Sequence, residues 1–180
     1  MALDFNKAAK SLLLDLINTK ATRALAEQEL QFGTPAASSE HSKNTVIQLD
    51  AAPEAENLQG TRQFYYDRLA LSDVFADVTG DVTFELPHGT DSIQASELVS
   101  KLVTKFGLAS LNGEIQEETF QLSAGTVGQV TLNAIENGLV YTGTLQVALT
   151  YAAAPKDNLA TVLADNVAEG FEKPTVSVVG

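Results

Sequence analysis

The chain can be laid over itself. Shifted by 83 residues, Val46-Ile47-Gln48-Leu49-Asp50-Ala51 falls on Gln129-Val130-Thr131-Leu132-Asn133-Ala134, and Gly60-Thr61-Arg62-Gln63-Phe64 falls on Gly143-Thr144-Leu145-Gln146-Val147. Shifted by 86 residues, Leu12, Leu13, Leu16 and Ile17 fall on Leu98, Val99, Leu102 and Val103. Self-similarity at a fixed period is the signature of a repeated supersecondary unit. Each half would then hold a helix, a long connection and paired strands. The identities are few, and chance similarity between two amphipathic α+β segments is the competing account.

Local patterning says what each unit is made of. Leu12, Leu13, Leu16 and Ile17 form one apolar helical stripe, with Asp4 or Asn6 as cap. Leu98, Val99, Leu102, Val103 and Phe106 form a second, with Ser92 or Ser96 as cap, Glu97 near the start and Gly107 at the end. Ala24–Leu30 is a weaker helical stretch, ended by Gly33-Thr34-Pro35, and Pro35–Ser39 reads as loop. Strands are expected at 44–50, 61–71 (bent), 81–86, 119–122, 129–134 and 139–151. Leu145, Val147 and Leu149 alternate toward a core. Asn137-Gly138 predicts a tight hairpin before the last strand. A short helix over 159–167 and an extended, Val-rich tail after Gly170 complete the reading.

The fold class expected is therefore α+β. Two similar helix-plus-antiparallel-sheet units would span 1–90 and 91–151, followed by an extended C-terminal arm over 152–180. Neither a G-x-G-x-x-G nor a G-x-x-x-x-G-K-[ST] run occurs, which argues against a nucleotide-binding sheet.

Composition removes whole classes of chemistry. The chain has 180 residues and no cysteine, so disulfides, thiolate metal sites and cysteine nucleophiles are excluded. Two histidines, His41 and His88, cannot make a multi-histidine metal centre. A net charge of -12 repels phosphate backbones, so no nucleic-acid partner is expected. The apolar stretch near the start is crossed by Asp4, Lys7, Lys10 and Asp15, so neither a signal peptide nor a membrane span is expected. Residues 31–95 carry ten acids against three bases, an acidic surface that keeps a protein soluble or meets a basic partner or cation.

Each chemical candidate has a plainer reading. Asp73, Asp77 and Asp81 recur every four residues and could offer carboxylates to Ca²⁺, but Val78-Thr79-Gly80 interrupts any helix, so turn and cap roles are expected. Ser92, His88 and Asp91 lack the strained elbow or oxyanion hole a serine nucleophile needs. Glu114, Glu117 and Glu118 could be a glycosidase-type carboxylate set, but sit in a polar loop and read as solvated. Tyr65-Tyr66-Asp67-Arg68 is either a partner-facing or sugar-stacking patch, or a half-buried strand with Arg68 paired to an acid. No catalytic residue, metal, cofactor or small-molecule substrate is expected, and no enzymatic activity.

One resemblance adds to this. The order of three blocks carries it: NTVIQLDAAPEAENLQGTRQFYYDRLALSDVF, the helix ASELVSKLVTKFGL, and the strand pair VTLNAIENGLVYTGTLQVAL. It is similar to small virion structural proteins of large, contractile-tailed bacteriophages of the jumbo type. There a helix of L-x-x-K-[FY]-G-L type precedes a Y-x-G-x-[LV]-x-[VI] strand; Thr104-Lys105-Phe106-Gly107-Leu108 fits the helix end. The likeness covers roughly 44–150. It implies a subunit of a virion, made in the host cytoplasm: a capsid decoration, collar, tail or baseplate component, whose partners are copies of itself and other virion proteins. A receptor- or glycan-binding module is the alternative. The interface expected comprises Tyr65, Tyr66 and Arg68 and, in an arm that pairs with a neighbour's sheet edge, Phe171, Val176, Val178 and Val179.

Overall fold

A computed structural model describes residues 3–78, 82–123, 128–157 and 162. The elements run α1 (Ala9–Asn18), β1 (Leu30–Phe32), β2 (Ala36–Ala37), β3 (Thr45–Ala51), β4 (Thr61–Tyr66), β5 (Leu69–Ala70), α2 (Leu71–Val74), β6 (Val82–Leu86), β7 (Ser92–Gln94), α3 (Ala95–Phe106), β8 (Thr119–Gln121), β9 (Gly128–Asn133), β10 (Tyr141–Thr142) and β11 (Thr144–Tyr151). The class is α+β, as the patterning predicts. The helix expected over 159–167 and the arm residues Phe171, Val176, Val178 and Val179 lie outside the described residues.

The repeat is present in the geometry. β3 pairs antiparallel with β4, Asp50 opposite Thr61, and β9 pairs antiparallel with β11, Asn133 opposite Thr144. A shift of 83 residues carries one register onto the other. The turn hydrogen bonds match as well: Ala51 N donates to Gly60 O and Ala134 N to Gly143 O, both at 2.9 Å. Gly60 (φ +89°) and Gly143 (φ +75°) close the two connections in the left-handed region, where only glycine is unstrained. The helices correspond too. Ala9, Leu12 and Leu13 are buried on α1, and Ala95, Leu98 and Val99 on α3.

The two units interlock. One core holds Leu71, Leu98, Leu102, Leu111, Leu132, Tyr141, Val147 and Leu149; the other holds Leu13, Ile17, Ile47, Leu49 and Tyr66. α1 serves both, giving Ala9 and Leu12 to the first and Leu13 and Ile17 to the second. The boundary expected at residue 90 is crossed by the sheet: β6 pairs in parallel with β11, from Val82 opposite Val147 to Leu86 opposite Tyr151. β5 likewise pairs in parallel with β10. Parallel neighbours need a long crossover, and here it contains α3, which packs its apolar stripe onto the sheet.

Local expectations are corrected at several points. The Ala24–Leu30 stretch forms a single 3-10 turn at Glu27–Glu29 and then a strand that pairs with β3. The Pro35–Ser39 loop contains β2, also paired with β3. Ala8 and Gln94 occupy the helix N-cap positions without a side-chain cap bond. Asp4 instead accepts the Asn6 amide in the turn before α1, and Ser92 lies in β7. Asn137-Gly138 forms a turn, closed by Gly138 N donating to Ile135 O at 3.1 Å, but not a two-residue hairpin. The chain first makes β10, and the returning strand begins only at Thr144.

Candidate functional site

Of the expected interface residues, Tyr65 and Tyr66 lie on β4 and Arg68 follows its end. In the sheet β3 lies centrally, with β1 and β2 along one side and β4 along the other, and among the described residues β4 pairs with β3 alone. In an antiparallel pair the strictly opposed residues exchange both hydrogen bonds at alternate positions. The Ala51–Gly60 bond sets that phase. Arg62, Phe64 and Tyr66 therefore turn their backbone groups toward β3, and Thr61, Gln63 and Tyr65 turn theirs outward. The result is an open edge, of the kind that takes an added strand.

Two cavities flank that edge, of about 410 Å³ and 660 Å³, and Lys20, Lys43, Phe64 and Tyr65 line both. The smaller is apolar, walled by Leu3, Phe5, Leu13, Leu16 and Leu139. The larger brings His41 and Arg62 beside Lys20 and Lys43, a cationic rim on an otherwise acidic chain. Lys43 is paired with Asp67. Lys20 and Arg62 are both exposed and, among the described residues, have no acidic partner.

The two tyrosines have different fates. Tyr66 is buried, and its hydroxyl donates to Leu139 O at 2.8 Å; burial pushes the phenol well above its ordinary range. Tyr65 is half-buried. Its hydroxyl lies 2.8 Å from Glu40 Oε2 and 2.7 Å from Gln63 Oε1, and the bond to Glu40 raises its pKa. The His41 ring meets it edge-on at 4.6 Å. His41 and Ser42 hold φ of 54° and 56°, a strained left-handed pair for residues other than glycine.

Among the described residues Arg68 is not paired with an acid, unlike the pairing the sequence reading offered. Its Nε donates to Thr45 Oγ1 at 3.1 Å, and its Nη1 to the carbonyls of Glu136 (2.8 Å) and Gly138 (3.1 Å). Arg68 thus ties the β3–β4 sheet to the loop before β10.

Glu114 is the other correction. It is 3 % exposed rather than solvated. Its Oε1 accepts the Leu139 amide at 2.8 Å, and its Oε2 accepts the amides of Val140 and Tyr141 at 2.9 and 3.1 Å. Three convergent amides satisfy a buried carboxylate, which would otherwise be costly to remove from water. The sequence signal for this was weak: the partners lie about 25 residues away and use main-chain atoms only. Nearby, Ser110 Oγ and Tyr141 Oη share a buried hydrogen bond of 2.6 Å.

The remaining candidates stay apart. Glu117 and Glu118 are exposed. Asp73 lies in α2, which ends at Val74, so the four-residue spacing does not continue along a helix face; Asp81 lies outside the described residues. His88 is exposed in a turn closed by Thr90 N on Pro87 O, and Ser92 is in β7. Among the described residues no group of three His, Asp or Glu side chains is placed to hold a metal ion, and no helix is long and apolar enough to cross a membrane.

No curated protein and no solved structure matches the chain. A family model does, described as a family of unknown function (DUF7941), over residues 2–178. With its two interlocked units, open β4 edge and following segment all inside that match, the chain belongs to the DUF7941 family.

Proposed function

We propose that this protein is a structural subunit of a bacteriophage particle and works by protein–protein assembly, with copies of itself and other virion proteins as partners. The virion, after synthesis in the host cytoplasm, is its place of action. The observation that carries the reading is the edge of β4, six residues long, unpaired among the described residues and flanked by an apolar cavity and a cationic rim. An unpaired edge of this length is a liability in a free monomer and an asset in an assembly. The sequence resemblance to contractile-tailed phage virion proteins supplies the kind of particle.

The alternative, a receptor- or glycan-binding module, needs an exposed aromatic platform. Tyr66 is buried with its hydroxyl engaged, and Tyr65 spends its hydroxyl beside Glu40 and Gln63. That leaves one half-buried ring, which favours the assembly reading. The test is analytical ultracentrifugation of the purified chain over a wide concentration range, with mass spectrometry of purified virions from the source phage. Concentration-dependent oligomers and recovery in the particle are expected. A monomer at every concentration, with no copies in the virion, would sink the proposal.

A further inference from the structure

The shared register of the two units makes one difference between them visible at the outer edge of the second paired strand. In the second unit, the outer edge of β11 is covered: β6 pairs with it in parallel, Val82, Thr83 and Phe84 opposite Val147, Ala148 and Leu149. In the first unit, the matching strand β4 has no such neighbour among the described residues. The shift of 83 residues maps Val147, Ala148 and Leu149 onto Phe64, Tyr65 and Tyr66. The vacant edge is thus the counterpart of one that the same fold fills with a parallel strand.

The packing shows the same vacancy. The shift of 86 residues maps Leu16 of α1 onto Leu102 of α3. Leu102 is fully buried, whereas Leu16 is half-buried and lines the apolar cavity beside β4. A strand laid along β4 would cover that cavity.

Resting on the assembly reading above, we infer that the β4 edge receives residues 175–179 of a second copy of this chain, as a parallel strand in the register that β6 keeps on β11. The segment suits the place. β6 reads Val82-Thr83-Phe84, and the tail reads Val176-Ser177-Val178, apolar, hydroxyl, apolar in each case. In the β6 register Val176 and Val178 lie beside Phe64 and Tyr66 and face the cavity, while Ser177 lies beside Tyr65 on the open face. Pro174, lacking an amide donor, falls at the strand's beginning, where proline is tolerated.

Charge selects this occupant. The stretch after β11 carries Asp157, Asp165, Glu169 and Glu172 against Lys156 and Lys173, and so is acidic. A parallel strand in this register brings Glu172 alongside Gly60, next to exposed Arg62 and Lys20. Lys173 falls beside Thr61, whose hydroxyl is bonded to Asp50. Copies with a net charge of -12 repel one another as wholes, so their contact needs a local match of this kind. Residues 158–174 span up to about 60 Å when extended, enough to leave one copy and reach the next. A contact between an edge on one copy and a tail on another closes a two-fold dimer when the two tails are exchanged reciprocally, and builds rings or stacks when each tail is passed on to a further copy.

The chain has no cysteine, so introduced pairs report one contact each. Full-length Tyr65→Cys and Ser177→Cys proteins are mixed and oxidised, with Gln129→Cys plus Ser177→Cys as the off-site control. The expected result is a mixed disulfide dimer formed at least tenfold faster than the control pair. A rate equal to the control overturns the inference. So does an intramolecular disulfide without dimer in the Tyr65→Cys/Ser177→Cys double variant at high dilution, because the tail then docks on its own copy. Val178→Asp is expected to abolish oligomers with an unchanged melting midpoint; oligomers that persist overturn the inference. If the unmodified chain oligomerises but fails these tests, only the choice of occupant is wrong. If it never oligomerises, the inference is wrong, and the assembly reading falls with it when purified virions also lack the chain.

Discussion

Arg68 and Glu114 hold the same loop through opposite polarity. The guanidinium donates to the carbonyls of Glu136 and Gly138, and the carboxylate accepts the amides of Leu139, Val140 and Tyr141. Gly138 sits between them: a Cβ there would lie 2.7 Å from Glu114 Oε2. The clamp fixes the segment that leads into β10, whose pairing with β5 joins the first half of the chain to the second alongside the β6–β11 pairing.

Removing the carboxylate should therefore be severe. Each buried amide left unpaired costs about 1–3 kcal/mol. Glu114→Ala is expected to lose at least about 3 kcal/mol of unfolding free energy, since three amides lose their acceptor. Glu114→Gln should also destabilise, because one acceptor oxygen becomes an NH₂ facing a backbone donor. Urea titration checks both; wild-type midpoints would mean that water replaces the carboxylate.

This clamp marks where sequence reasoning stops. The stripe Leu98, Val99, Leu102 and the alternation Leu145, Val147, Leu149 were legible because burial follows periods of 3.6 and 2 along neighbouring residues. Glu114 was not, because its partners are backbone atoms, and a main-chain donor leaves no mark on residue identity. The pairing of Asn137-Gly138 failed for a related reason: Gly138 is needed for its closeness to Glu114 and Ile135 as much as for its turn. β6 was read as a strand, but its parallel place beside β11 depends on a crossover that no local window contains. Tyr65 and Arg68 stand out by residue type, while the β4 edge beside them emerges only from the pairing.

The paired leucines give a second test. Leu102 is fully buried, and Leu102→Ala should cost about 2–5 kcal/mol. Leu16 faces the cavity beside β4, so in the monomer Leu16→Ala should cost only about 1 kcal/mol. Chemical denaturation at low protein concentration separates the two. Equal losses would show that Leu16 is already covered as Leu102 is.

Acid and alkali should each act through named groups. The Glu29 carboxyl is held down at about 2, first by the Arg23 guanidinium and then by the Ala26 amide. Asp67 is lowered by Lys43 and then the Asn44 amide, and Asp50 by Thr61 and then Gln48. Folded pKa values below the unfolded ones mean stability present above about pH 4.5 and lost as pH falls toward about 2. Tyr66 and Tyr141 are raised by burial, so their contribution is complete below the ordinary tyrosine value of 10.0 and is lost as pH climbs beyond it. Melting midpoints measured across pH should fall at both ends. Tyr66→Phe should flatten the alkaline limb, and an unchanged limb would remove Tyr66 as its cause.

Truncation separates the folding of a copy from its assembly. The buried core among the described residues ends at Leu149, and β11 is held on both sides, by β6 and β9. A chain ending at Gly170 keeps all of those contacts and loses the Val-rich tail. Its melting midpoint as a monomer should shift by less than about 2 °C, equivalent to under about 1 kcal/mol for a chain of this size. Its sedimentation should be that of a monomer at concentrations where the full chain is oligomeric. Arg62→Glu in the full-length chain should reproduce that loss without truncation, because the rim then repels Glu172, and the intact chain's oligomers should weaken with added salt as that contact is screened. A truncated chain that unfolds would show instead that the tail completes its own copy's sheet, and that the β4 edge is closed from within.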